Sequence, residues 1–285
     1  MSYGKHQSFY LKSHWITKGL KAFSVFDNTI IYDKNAYLLL GIGKNMHQSL
    51  RYWLESCNVV KLEEKSHALT EFGSLILDYD IGCNLNLTIN LLHYFLVNQI
   101  YEYSQKSDSF YWFFNIYNEN IFTKEKLLND LILWNKNSTS SRTLNRDVDC
   151  LLSLYTKNIK EHPEDKNVSL LSNLGLIYKD NENYIKASIH EENLSLEAIY
   201  FILLIMKKNN ISLSLSNIIS HESSPGRAFN LSRLEVIDII EKMIYKGYLI
   251  EITRTNNLDT VYISENISEY DFLLKAYQEQ SNDKI

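Results

Sequence analysis

Between Asp33 and Leu77 the chain spells two helical signals about a glycine turn, then a short hairpin signal, then a third helical signal, and few small folds accept that order. Ala36, Leu38, Leu39 and Leu40 make a brief apolar helix pattern, Gly41-Ile42-Gly43 turns the chain, and a longer helix pattern runs from Lys44 to Glu55. The Asp33 carboxylate can accept free N–H groups at the start of the first helix, and Gly43 frees the backbone between the two. In the longer helix Met46, Leu50, Trp53 and Leu54 recur at i, i+4, i+7 and i+8, which predicts one buried stripe. A rotation of roughly 100° per residue then places Lys44, Gln48, Arg51, Tyr52 and Glu55 on the opposite face. All but Glu55 are side chains suited to phosphates and base edges.

The flanking residues extend the pattern. Val59 to Leu62 alternates like a short strand, Glu63 to His67 is a polar tip, and Ala68-Leu69-Thr70 returns as a partner. Thr70-Glu71-Phe72-Gly73 leads into Ser74-Leu75-Ile76-Leu77, which looks like the strand-to-helix exit after the wing of bacterial winged-helix domains. Upstream, Ser8 to Phe26 reads as an aromatic-rich approach and a first helix, with Trp15, Leu20, Phe23 and Phe26 available to cover the helix pair. Residues 1–54 carry seven Lys and Arg against Asp27 and Asp33, a net of +5 in a chain whose total is −5, so the remainder holds −10. Such an asymmetry would orient the chain on DNA with its first domain inward.

A length of 285 residues predicts two or three domains, and 45% apolar with 22% charged residues fits a globular chain and excludes a disordered one. The best apolar run, Ile199 to Met206, is far short of the ~20 residues a bilayer requires. The start, Met1 to His6, lacks the apolar centre of a secretory signal, so the expected location is cytoplasmic. Cys57, Cys83 and Cys150 have neither paired nor metal-ligand spacing and predict buried, reduced thiols.

Downstream, Leu87 to Tyr103 is apolar around most of a helix, Phe110 to Phe114 is five aromatics in succession, Thr123 caps a helix from Lys124 to Trp134, and another runs from Arg142 to Lys157. His162-Pro163-Glu164-Asp165-Lys166-Asn167 is the clearest break, and Leu174 to Tyr178 with Tyr184 to Ala187 reads as a hairpin. Leu196 to Lys208 and Leu215 to His221 are helical, Ser232-Arg233-Leu234-Glu235 is a capping box opening a helix to Tyr245, and Gly247 closes it. Tyr248 to Thr253 and Thr260 to Ser264 then flank a second wing. The expected fold is mainly α: an N-terminal winged helix at 1–84, a central helical bundle at 85–160, and a C-terminal winged helix with small β-hairpins at 168–285. The C-terminal helix should expose Glu235, Asp238 and Glu241, which makes it a poor reader of a phosphate track.

Catalytic chemistry needs a constellation, and none is legible. The eight histidines lack ligand spacing, so neither a metal nor a cofactor is expected, and His93, on an apolar helix, reads as a core histidine. Gly41-Ile42-Gly43-Lys44-Asn45 lacks the earlier glycine and the preceding strand of a phosphate-binding loop. Asp147 and Asp149 point to different faces of their helix, against a metal-dependent nuclease. Arg142 and Arg146 share a face with Asp149; they are either phosphate contacts or part of a salt-bridged hinge tying the bundle to the first domain. Phe110 to Phe114 reads as core with one or two rings at an inter-domain contact.

Several stretches resemble a bacterial family known as domain of unknown function 4007: His6-Gln7-Ser8-Phe9, Trp15-Ile16-Thr17-Lys18-Gly19, Leu40-Gly41-Ile42-Gly43-Lys44-Asn45-Met46 with Ser49-Leu50-Arg51-Tyr52-Trp53, Trp112-Phe113-Phe114-Asn115, and Thr143-Leu144-Asn145-Arg146-Asp147-Val148-Asp149. The resemblance implies an accessory of DNA sulfur modification (phosphorothioation) and phage-defence gene clusters, beside a cysteine desulfurase and a sulfotransfer enzyme. The expectation is a non-enzymatic protein that binds double-stranded DNA. Lys44, Asn45, Gln48, Arg51 and Tyr52 would sit in the major groove, with Lys61 or Lys65 of the wing and Lys18 or Lys21 at the backbone. The alternatives are an interaction scaffold for the modification enzymes and a stand-alone repressor acting as a homodimer.

Overall fold

Hydroxyl side chains start most of the described helices. Thr70, Thr123, Ser140, Ser195, Ser214, Ser224 and Ser232 each accept the backbone N–H three residues on, which satisfies a donor the helix itself leaves open. The computed structural model describes residues 3–12, 14–26, 29–98, 108–157, 169–208, 210, 212–255, 258–264 and 267–282. In its first segment α1 (Trp15–Val25), α2 (Ala36–Leu39) and α3 (Lys44–Ser56) precede β1 (Val60–Glu63), β2 (Ser66–Leu69) and α4 (Glu71–Tyr79). The middle segment holds α5 (Asn86–Val97), α6 (Asp108–Asn115), β3 (Ile121–Thr123), α7 (Lys124–Trp134), α8 (Ser141–Tyr155), β4 (Ile177–Asp180) and β5 (Asn183–Lys186). The last holds α9 (Leu196–Lys207), β6 (Ser212–Ser214), α10 (Leu215–Ser220), α11 (Pro225–Ala228), α12 (Arg233–Tyr245), β7 (Ile250–Thr255), β8 (Leu258–Ile263) and α13 (Glu269–Asn282).

Three antiparallel sheets result, in the orders β1-β2, β3-β5-β4 and β6-β8-β7. The middle and last segments therefore share one plan: helix, short strand, further helices, then a hairpin whose second strand pairs with the short strand. The first segment repeats it with no strand before α2 among the described residues. A mainly α fold is thus corrected to helices mixed with small sheets. The middle is more than the expected bundle, because β3 pairs with β5 across the boundary placed at 160–168. A three-residue strand has no readable period, so Ile121-Phe122-Thr123 gave no warning.

The sequence-predicted helices, hairpins and capping box are present with edges moved by a few residues. Asp33 is an exception: its Oδ1 accepts the Asn35 N–H at 2.9 Å, and α2 has no side-chain cap. Gly73 explains the Thr70-Glu71-Phe72-Gly73 exit, since a Cβ there would lie 2.0 Å from the Val59 carbonyl oxygen. Residues 99–103 of the expected Leu87 to Tyr103 helix, the break at 162–167, and Asn256 and Asn257 of the second wing lie outside the described residues.

One core runs through all three segments, from Trp15, Trp53 and Phe72 to Phe95, Phe113 and Tyr155 and on to Tyr200 and Phe201. The three cysteines are buried and free in it. Four of the five clustered aromatics, all but Tyr111, are buried there too. His93 joins the middle to the last segment: the Tyr155 hydroxyl is 2.7 Å from Nδ1 and the Ala228 carbonyl 2.7 Å from Nε2. Burial drives its pKa down to about 4, against the opposing pull of the Ala228 carbonyl, so the ring is the satisfied neutral histidine the sequence suggested. Finally α13 packs on α4 and α9, with the Tyr277 hydroxyl 2.8 Å from Thr88 Oγ1.

Candidate nucleic-acid interface

Leu50, Trp53 and Leu54 bury the inner stripe of α3, and this orients the rest of the helix. Its first two turns present Lys44, Asn45 and Gln48 to solvent, and Arg51 is half-buried with Nε 3.8 Å from Glu55 Oε1. The expected ridge stops there. Tyr52 is only 4% exposed, so it is corrected from a groove contact to a core residue, its phenol pKa raised by burial. Glu55 is buried as well, accepting from His67 Nε2 at 2.7 Å. Helical periodicity placed both residues outward; the amino-terminal turn and the hairpin, which that periodicity cannot see, cover them.

That amino-terminal turn is clasped to α8. Asp147 Oδ1 accepts from the Gly4 N–H and from His6 Nε2, both at 2.8 Å, and Oδ2 accepts from the Ser109 hydroxyl at 2.6 Å. The Ser8 N–H donates to His6 Nδ1 at 3.1 Å, which leaves Nε2 as the donating nitrogen. On the other side the His6 ring lies 6.1 Å from Tyr52 and 6.4 Å from Trp53, and the Phe9 carbonyl accepts from Trp53 Nε1 at 3.0 Å. Residues 4–9 are therefore a wedge between α3 and α8. Within it Gln7 and Ser8 both hold left-handed backbone, at φ of 51° and 65°, a conformation unfavourable to residues with a Cβ.

The wedge and the loop before α2 complete a notch that the sequence did not announce. Lys5, Gln7, Tyr32 and Lys34 join Gln48, Arg51 and Glu55 around a cavity of about 420 Å³. With Leu62 of β1 four separated segments build it, so no periodicity marks it; the signals available were the amino-terminal excess of lysine and the resemblance at His6-Gln7-Ser8-Phe9.

The remaining expected contacts divide. Lys21 and Lys65 are exposed. Lys18 is committed elsewhere, its ammonium donating to the Leu40 carbonyl at the end of α2 at 3.0 Å, and Lys61 is paired with Glu63 at 3.0 Å. Arg142 and Arg146 are exposed on α8, but Asp149 pairs with Lys124 at 2.6 Å and with neither arginine. The tie between the middle and the first segment is real and is made by Asp147.

A second polar cluster is structural. Lys186 Nζ donates to the Phe113 and Tyr117 carbonyls at 2.6 and 2.7 Å and lies 4.3 Å from the Phe113 ring centre. Burial, then the nearby Arg227 charge, lowers its pKa to about 7. Its protons go to the carboxyl end of α6, which it holds to β5.

The molecule is a helical protein with three small sheets among its described residues, a clasped amino-terminal segment and a cationic notch beside an exposed helix. The chain belongs to the DUF4007 family: the model of that family, described as a protein of unknown function, matches residues 3–277. Two solved structures are similar over 99% of this chain and 88% of theirs, each with a TM-score of 0.84: a magnesium ion-bound SspB crystal structure at 19% identity and an SspB crystal structure at 20%. At that identity the likeness is one of fold. No curated protein matches the sequence.

Proposed function

We propose that the chain is a DNA-binding component of a DNA sulfur-modification system, with its first and last segments built as winged helices and α3 as the helix that meets duplex DNA. The observation that carries this reading is the exposed start of α3. Lys44, Asn45 and Gln48 stand in solvent, and among the described residues no carboxylate pairs with Lys44, Lys21, Lys34 or Lys65. Asn, Gln and Arg side chains can meet base edges, and unpaired lysines can meet phosphates. Tyr52 leaves the contact set and Lys18 and Lys61 are internally engaged; Arg142 and Arg146 remain as phosphate contacts. The link to sulfur modification rests on the family resemblance alone.

The test is duplex affinity at several salt concentrations, on plain and phosphorothioate-bearing DNA, for the native chain and for Lys44→Ala with Arg51→Ala. An unchanged salt dependence in the double variant removes the proposal. In this reading the chain holds DNA and does not itself cut it. Supercoiled plasmid incubated with the protein and magnesium checks that point, because nicked circles would demonstrate a catalytic role.

A second reading, docking of a partner protein, is favoured at the other end of the molecule. Leu234, Tyr245 and Leu249 are 77%, 92% and 52% exposed on and just after α12. Pull-down with the modification enzymes, compared between the native chain and Leu234→Ala with Tyr245→Ala, tests it.

A further inference from the structure

The notch beside α3 has a polarity that selects its ligand. Its rim is cationic, formed by Lys5, Lys34 and Arg51, and its wall includes Glu55, which is 7% exposed. Glu55 uses Oε1 for both His67 and Arg51, leaving Oε2 without a partner among the described residues. A simple phosphate at that end would meet the carboxylate, and a simple amine would have to pass the rim cations. A molecule with an amino donor at one end and a phosphate at the other satisfies both. Between those ends stand the amides of Gln7 and Gln48, and the Tyr32 ring is 37% exposed at the wall. The volume, about 420 Å³, falls within the ~300–1,000 Å³ of small-ligand sites and suits one nucleotide, not a duplex.

We infer that the notch holds a single nucleotide with an amino-bearing base. The base lies against Tyr32, its exocyclic amine donates to Glu55, the amides of Gln7 and Gln48 meet its ring edge, and its phosphate rests on the lysines. Carboxylates accept from the amino group of cytosine and amides pair with adenine, which gives the lining its chemistry. Two left-handed residues in succession, Gln7 and Ser8, bring the wedge to this wall, and backbone of that kind is kept where the surroundings enforce it. The ligand can be a nucleotide swung out of a duplex docked on α3 or a free mononucleotide. The first source rests on the DNA-binding reading; the second does not.

The experiment uses the full chain in two arms. In the first, duplexes carry 2-aminopurine at successive positions, and unstacking of that base on binding raises its fluorescence. In the second, heats of mixing are measured with dCMP and dAMP. Either a fluorescence rise or a mononucleotide heat, abolished by the surface variants Tyr32→Ala and Gln7→Asn while duplex affinity stays near native, supports the inference and identifies the source. Duplex binding with unchanged fluorescence and no mononucleotide heat overturns the inference and leaves the DNA-binding reading standing. Mononucleotide heat without duplex binding does the reverse. A signal that survives both variants overturns the site.

Discussion

α3 and α12 hold the same place in their segments, each the last helix before a hairpin, and they carry opposite surfaces. On α3 the exposed Lys44 has no carboxylate partner among the described residues. On α12 Arg233 pairs with Asp259, Lys242 lies 2.7 Å from both Asp238 and Glu191, and Arg254 of the adjoining strand lies 3.0 Å from Glu241. The two helices also differ in how they are held. Buried hydrogen bonds from His6, Trp53 and His67 surround the end of α3, whereas α12 is laced by exposed ion pairs. A shared plan fixes where a helix stands; its surface decides what can meet it.

The largest effect expected tests that difference in anchoring. Asp147→Ala leaves His6, the Gly4 N–H and Ser109 without their acceptor in a buried site, and should destabilise the fold by about 3 kcal/mol in urea unfolding. Asp238→Ala, at an exposed pair on α12, should stay within about 0.5 kcal/mol of native. Equal losses would erase the contrast.

Next comes a pH effect that asks whether the two ends unfold together. His93 has a folded pKa of about 4 against about 6.5 for a free histidine, so the unfolded chain takes up the proton first. Stability is therefore untouched by this group above about pH 6.5, falls as pH drops through that value, and reaches a full loss on the order of 3 kcal/mol near pH 4. His93→Gln should flatten that stretch of the profile. All four tryptophans lie in the first two segments, so coincident transitions by fluorescence and circular dichroism would show the last segment yielding with them.

The surface contrast itself predicts binding behaviour. Lys44→Ala should lower the slope of log affinity against log salt by about 0.9 if its side chain neutralises one phosphate, and Arg51→Ala should lower it by less, because the Glu55 carboxylate lies 3.8 Å from Arg51. Lys242→Ala should leave the slope unchanged, because Asp238 and Glu191 already neutralise that charge.

Much of this was legible in the sequence for a physical reason. The Ser232 and Glu235 capping box, the Thr123 cap and the apolar stripe of α3 are local, and local interactions leave local patterns. β3 and β6, three residues each, left none. Helix α13 went unread because its buried residues Leu273, Ala276 and Tyr277 are spaced among charged neighbours beyond the second wing. Half of the candidate site was readable, from Lys44 to Arg51. Of the rest, Lys5 and Gln7 are brought in by the clasp at Asp147, a pairing across 141 residues from His6 that a single sequence does not reveal, and Tyr32 and Lys34 come from the loop before α2.

The smallest effect separates stability from binding at the two helix starts. α12 opens with both halves of a capping box, and Ser232→Ala should remove about 1 kcal/mol. α3 opens on Gly43 with no side-chain cap, at φ −69° and ψ 153°, backbone that any cap residue adopts. A Cβ built there meets nothing nearer than Met46 Sδ at 3.9 Å, so Gly43→Ser and Gly43→Asp both fit. Each should raise stability by a few tenths of a kcal/mol, since glycine is only slightly inferior to them at this position. Their binding should diverge. The aspartate puts a carboxylate beside Lys44 and over N–H groups that a phosphate would otherwise use, so Gly43→Asp should lose duplex affinity while Gly43→Ser keeps most of it. If the aspartate variant binds duplex as well as the serine variant, the start of α3 does not face the DNA backbone.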